Sequence, residues 1–386
     1  MKKLLLVVFI FAATIFMGQQ ITVIGPWSGA EKDAFTPVLE KFEEQTGIKV
    51  QYQIYRAEDL ANLLPAQFST KRTPGDVIFM WTSFMKSNPE HIVNLSDLIK
   101  PENFRPGALD NVTVDGEIIG IPYTGKVKPG FWYRKSFFEE HSLTEPETWD
   151  EFVALLEEIS GIEGITAPIA SGNGVGWPLS DVTEHFILTY GGAELQKDLI
   201  AGNVNWTGET AKKPMNKLAS LLSEGYFGEP VEWTTVLEQW WQGQYGLYFM
   251  GQWLTGMVDD PSDLGVLALP GNEAVVFALD YAFIPKYSKN VDAAKQLIEF
   301  LAGPEGQTAQ VEQGGHIASA NGVSLDAYPP VDKEIAELLE GKATVNDLDD
   351  SIGGMWQATF WDQLKLLWVR PGRLDSVLES LQSNMP

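Results

Sequence analysis

The sequence predicts a two-lobed α/β protein, and three observations carry that prediction. Strand and helix signals alternate as β-α-β-α-β from Ile21 to Trp81, the order of a parallel sheet with crossover helices. A second series of strands and helices starts past Pro122. At 386 residues with 44% hydrophobic side chains, the chain has length for two domains and material for their cores.

Taken in order, Lys2 and Lys3 precede an uncharged run from Leu4 to Met17. That run is shorter than the roughly 20 residues a bilayer span needs, and it suits a signal peptide over 1–18. The expectation is export to the periplasm or the extracellular space, with no lipid anchor because the chain has no cysteine. Ile21–Ile24 reads as a strand. Ser28-Gly-Ala-Glu31 has capping-box spacing ahead of Ala34, Phe35, Val38, Leu39 and Phe42, and Gly47 stands where a helix closes. Ile48, Val50, Tyr52 and Ile54 alternate as a strand, Leu60 to Phe68 is helical, and Val77–Trp81 is a strand.

Phe131–Tyr133 is strand-like, and Thr148-Trp-Asp-Glu151 opens a helix to Ser160. Ile165–Ala170 reads as a strand leading into glycines 172, 174 and 176, with Asp181 and Glu184 capping the next helix. Strands follow at Tyr245–Met250, Gly265–Leu269 and Val275–Ile284, and helices at 209–224 and 291–302. The tail from Val331 is mostly helical, and no internal repeat appears.

Several chemistries are absent. Lys+Arg number 27 against 52 Asp+Glu, and a surface so acidic repels nucleic-acid phosphate. His91, His141, His185 and His316 are dispersed, without metal-ligand spacing. Asp347-Leu-Asp349 resembles the start of a calcium loop, but Ile352 occupies the turn-glycine position, so the stretch is read as a solvated helix cap. The glycine loop lacks both the G-x-G-x-x-G spacing and a P-loop lysine, and no G-x-S-x-G occurs. No metal and no cofactor are expected.

What is present is tryptophan, thirteen of them. Trp27, Trp81, Trp177 and Trp253 stand where strands end or loops begin, the side of an open α/β sheet on which ligands bind. An indole plane matches the C–H face of a pyranose, and neighbouring polar side chains can bond its hydroxyls. Trp132, Trp149, Trp240, Trp241 and Trp368 lie in periodic segments and are read as core.

Ile21 to Glu31 (ITVIGPWSGAE), FTPVLEKFEEQTGIKV from Phe35, Pro74-Gly-Asp-Val-Ile78 and Trp132 to Phe138 resemble the family 1 extracellular solute-binding proteins of ABC importers, the group of the maltose-binding protein. So do Thr148 to Phe152, GLYFMGQW from Gly246, DYAFIP from Asp280, and the helix Ala293–Leu301 with Gly303-Pro-Glu-Gly306. The matches run in family order from about 21 to 320, whereas the tail past 330 resembles the family loosely. Gly75 departs from a proline-aspartate pair common in relatives, though Asp76 still precedes its strand.

The resemblance implies a type II periplasmic-binding-protein fold, each lobe a mixed sheet flanked by helices, with a hinge between. It implies an N-terminal lobe of 19–124 plus 280–323 and a C-terminal lobe of 128–277 plus 326–386, with crossings near 125–127, 278–279 and 324–325. It also implies a non-catalytic, monomeric protein that captures a carbohydrate and delivers it to the membrane permease subunits of an importer. The ligand positions it implies are Trp27 and Ser28 after the first strand; Trp81 and Thr82 after the third; Trp177 and Asp181 after the glycine loop; Trp253; Asp280; His316; and Trp356 from the tail. Glu31 either reaches a sugar hydroxyl or serves its capping box, and Arg56 is assigned to structure. Alternatives are a binding protein for a polyol, a polyamine or iron, and an exported glycoside hydrolase, for which a carboxylate pair must sit about 5–9.5 Å apart.

Overall fold

The computed structural model describes residues 19–386 other than 106, 174, 175, 340 and 341. The expected signal segment, 1–18, lies outside the described residues. The chain begins β1 (Gln20–Gly25), α1 (Gly29–Thr46), β2 (Lys49–Ile54), α2 (Ala57–Ser69), β3 (Val77–Phe79) and α3 (Thr82–Ser87). A hairpin of β4 (Thr113–Val114) and β5 (Glu117–Ile118) leads into β6 (Ile121–Lys128), β7 (Gly130–Arg134), α4 (Lys135–Glu140) and α5 (Trp149–Ser160). Next come β8 (Ile169–Ala170), β9 (Gly172–Asn173), α6 (Trp177–Ile200), α7 (Glu209–Ser223), β10 (Val231–Glu232) and α8 (Trp233–Trp241). Strands β11 (Leu247–Met250), β12 (Leu264–Leu267) and β13 (Ala274–Phe283) precede α9 (Val291–Ala302), α10 (Pro304–Val311) and β14 (Ile317–Ala318). The tail holds α11 (Pro330–Leu338), β15 (Ala343–Val345), α12 (Leu348–Ile352), α13 (Gly354–Val369) and α14 (Leu374–Ser383).

Two mixed sheets organise these elements. The seven-stranded sheet runs β14-β6-β13-β3-β1-β2, with β15 added to β13. The strands β1, β2 and β3 are parallel, as the β-α-β-α-β pattern requires, and β13 returns antiparallel between β3 and β6. The four-stranded sheet runs β12-β7-β11-β8. Each sheet has its own apolar core. Val23, Ile78, Phe35, Leu64 and Leu297 belong to the first, and Phe131, Leu156, Phe186, Phe249 and Phe360 to the second. A third cluster joins side chains around both, Val127, Trp240, Tyr248, Ile317 and Ile335 among them.

The strands β6 and β13 pair from Ile121–Ala282 to Lys128–Val276, and β7 of the second sheet begins directly after β6. Gly125 in β6 is required by close approach, because a Cβ there would lie 2.6 Å from the Ala278 carbonyl oxygen.

Local signals are correct where the partner is also local. Gly47 ends α1 in the left-handed conformation, and Thr148 forms both halves of its capping box with Glu151. They fail where a distant residue competes. The Ser28 hydroxyl makes no capping bond, and the Glu31 carboxylate pairs with Lys126 instead. Asp181 and Glu184 do not cap α6, whose N-cap is Gly176; both are buried within it. Asp347 does cap α12, yet it is buried rather than solvated, against Lys128. The expected strands at 77–81 and 165–170 shorten to Val77–Phe79 and Ile169–Ala170, and a strand, β15, interrupts the helical tail.

Candidate functional site

Strand β11 ends at Met250, and a single 3-10 turn, Gln252–Gly256, carries the next aromatic. The Trp253 ring folds back over Gly251 so closely that a Cβ at Gly251 would fall 1.9 Å from it, and only glycine permits this. Trp177, the first residue of α6, meets Trp253 edge to face at 5.7 Å between centroids. Trp233, the first residue of α8, meets Trp177 at 5.5 Å. All three indoles are partly exposed. The result is a row of three partly open rings, held by the ends of three elements around the second sheet. Asn173, paired with Glu232 just before Trp233, has a buried Oδ1 acceptor without a protein partner.

The paired strands β6 and β13 supply charge. Lys126 of β6 pairs with Glu31 at the start of α1, and Asp280 of β13 lies in the field of both. Asp280 is half-buried, and its carboxylate shows no protein hydrogen bond among the described residues. Burial pushes its pKa up to about 6; the Lys126 ammonium opposes that rise and Glu31 adds to it. A half-buried carboxylate without a protein donor suits a ligand with several hydroxyl donors. His316 is buried, with its Nδ1 3.0 Å from the Thr124 hydroxyl, and burial pushes its pKa down to about 3.

The sequence profile of the bacterial extracellular solute-binding proteins matches residues 27–308. The chain belongs to that family. An uncharacterized ABC transporter extracellular-binding protein of Pyrococcus horikoshii is 54% identical over 95% of this chain and 88% of the relative. The osmoprotective compounds-binding protein GgtB of Synechocystis is 23% identical over 89% of this chain and 87% of its own. Among solved structures, the bacterial solute receptor AcbH superposes with a TM-score of 0.79 at 18% identity, covering 95% of this chain and 98% of that one. The fold of this solute-binding protein is therefore the type II periplasmic-binding-protein fold, two mixed α/β lobes.

Within this solute-binding protein, the sequence-predicted residues separate into three groups. Trp177 and Trp253 are in contact, and Glu31 and Asp280 share the Lys126 neighbourhood. Trp81, at 47% exposed, stands free at the N-cap of α3 with Thr82 next to it, and Ser28 is exposed at the N-cap of α1.

The second group turns inward. Trp27 is packed among Phe35, Phe79 and Tyr123 at 4.5–6.2 Å, so its ring faces are occupied by the first core. Trp356 stacks on Phe360 at 4.9 Å and donates its indole N–H to the Leu381 carbonyl, a core residue with neither face nor edge to offer. His316, as described, is likewise internal.

Asp181 has a different task from the one expected. With Asp347 it grips Lys128, the last residue of β6, in a buried cluster that includes Glu184 and Asp349. Although burial alone would lower it, the Lys128 pKa is held well above the usual ammonium range by these carboxylates. Burial pushes Asp181 up to about 7 against the pull of Lys128. Sequence reasoning missed Trp233 and Asn173. Trp233 opens α8 directly after β10, a two-residue strand that the sequence pattern does not reveal. Asn173 carried none, because its orphan oxygen is a property of packing.

Proposed function

We propose that this protein is an exported, non-catalytic receptor that captures a mono- or oligosaccharide or a glycoside between two lobes and delivers it to the permease subunits of an ABC importer. The observation that carries the reading is the row Trp233–Trp177–Trp253 with the unpartnered Asn173 acceptor next to Trp233, together with Asp280 of β13, which has no protein hydrogen bond. Indole faces take up the C–H surface of a pyranose, and acceptor oxygens take its hydroxyl protons. The lobes are 19–124 plus 280–323 and 128–277 plus 326–386, in line with the two separate cores. The protein works as a monomer after removal of residues 1–18; no described helix is long and apolar enough to cross a membrane.

One structural relative is a sugar receptor, and one sequence relative is named for small solutes more broadly. AcbH is described as exclusively preferring β-D-galactopyranose, and GgtB is named for osmoprotective compounds. A polyamine is disfavoured by Lys126, whose ammonium already pairs with Glu31 and acts electrostatically on Asp280. A thermal-shift screen of monosaccharides, disaccharides and polyols tests the reading. A ligand at 100 times its Kd stabilises by about 2.7 kcal/mol, so the right sugar raises Tm by several degrees. Silence across the sugars with a response to spermidine refutes it.

A further inference from the structure

Asp332 is a buried carboxylate on the first turn of α11, remote in sequence from the row of indoles. It accepts hydrogen bonds from two turns at once. Oδ1 takes the Gln252 side-chain N–H at 2.7 Å, and Oδ2 takes the Gly315 backbone N–H at 2.9 Å. The Thr255 hydroxyl is a third partner. Gln252 and Thr255 flank Trp253 in the turn that leaves β11 of the four-stranded sheet. Gly315 precedes His316, which bonds Thr124 of β6, and leads into β14 of the seven-stranded sheet. One carboxylate on the tail thus ties the turn of one sheet to the turn of the other.

The Gly314-Gly315 turn has φ values of 83° and 73° and carries no side chain of its own that could hold it. The Gln252 turn has an orphan of its own, the buried Oε1. Burial raises the Asp332 pKa despite its three donors, so this carboxylate is a costly way to fill the position when an apolar side chain would serve packing alone.

We propose that Asp332 is a positioning residue for ligand capture, fixing the Trp253 turn against the His316 turn without itself touching ligand. The inference rests on the reading above, that Trp253 faces the ligand. Asp332→Ala removes the link. Asp332→Asn retains it, because its oxygen can accept from Gly315 while its amide donates to the orphan Gln252 Oε1 once the Gln252 amide turns over. Ile335→Ala opens a cavity on the same helix and leaves the link intact.

Two measurements separate positioning from packing. In protein labelled with fluorotryptophan and free of ligand, the Trp253 resonance, assigned through Trp253→Phe, should shift or broaden in Asp332→Ala and hold its place in Asp332→Asn and Ile335→Ala. In titrations with the best binder among D-galactose, maltose and trehalose, Asp332→Ala should weaken Kd by about three- to thirtyfold, with Asp332→Asn and Ile335→Ala near wild type. An unmoved Trp253 resonance in Asp332→Ala overturns the proposal. So does an affinity loss in Ile335→Ala matching that of Asp332→Ala at equal Tm. A moved resonance with unchanged Kd also overturns it. If wild type binds none of the three sugars, the titrations use the best hit of the thermal-shift screen, and silence across that whole screen overturns the reading of function and this inference with it.

Discussion

Replacing Asp280 by Asn should weaken sugar binding, raise the stability of the ligand-free protein, and flatten the pH dependence of affinity below neutrality. The carboxyl titrates at about 6 because it is half-buried without a donor. In an unfolded chain an aspartate titrates near 3.9. The folded protein therefore holds this proton over the range between the two values, where the unfolded chain has released it. The group contributes stability in acid, and that contribution is lost as pH rises through about 6. At pH 7 the ionised, unpaired carboxylate is a net cost, which Asn removes, and Tm should rise. Affinity moves the other way. If hydroxyl donors bind the ionised form, Kd at pH 5 is about tenfold above its value at pH 7, since the ionised fraction falls from about ten in eleven to about one in eleven. Hydrogen bonds to a charged group contribute about 1.5–3 kcal/mol, so Asp280→Asn should lose about ten- to a hundredfold in affinity at pH 7. Calorimetric titration at pH 5, 6, 7 and 8 with both proteins reads every term. A wild-type Kd constant from pH 5 to 7, or a variant with the same slope, refutes the argument that Asp280 meets the ligand.

Three further outcomes are expected. Trp253→Ala loses a ring face of roughly 50–80 Å², about 1–2 kcal/mol at about 25 cal/mol per Å², so affinity drops by about ten- to thirtyfold with a small change in Tm; a large Tm loss at undiminished affinity would make the ring a core support. Lys128→Ala strands the carboxylates of Asp181, Asp347, Glu184 and Asp349 and should cost about 3–5 kcal/mol, more at pH 8 than at pH 5, where the raised carboxyls take up protons; denaturant melts at the two pH values compare them. Thr148→Ala removes the cap of α5 and should cost about 1 kcal/mol in the same melts, with sugar affinity unchanged.

The strand and helix order was legible because it is written in local periodicity. The β1, β2 and β3 segments alternate or run apolar, and α5 starts at a capping box whose two halves lie three residues apart. The same logic misread Ser28-Gly-Ala-Glu31, where Glu31 has a stronger partner 95 residues away. It misread Asp181, Glu184 and Asp347 for a like reason, as Lys128 arrives from the end of β6. Exposure of a single ring was less legible still. Trp27 and Trp253 both follow strands in glycine-containing loops, and only tertiary packing puts Phe35, Phe79 and Tyr123 around the first. Trp253 escapes because Gly251 lets it fold back toward Trp177.

The crossing strands show why the charged part of the site lies where it does. Between Leu279–Gly125 and Tyr281–Pro122, three steps of β6 oppose two of β13, so the ladder breaks at Asp280. Pro122 has no N–H to give the ladder, and Thr124 spends its hydroxyl on His316. A break of this kind increases local twist and re-aims a side chain. Here it leaves Asp280 outside the regular pairs of β13 and in the field of the Glu31–Lys126 pair. An uninterrupted ladder would bury alternate residues of β13 evenly and stiffen the connection. The bulge gives both up, and what stands at the break is a half-buried carboxylate without a protein donor, on a strand proposed as part of the hinge between the lobes. Filling the break with a regular pair should therefore stabilise the ligand-free protein at the expense of the group proposed to meet the ligand.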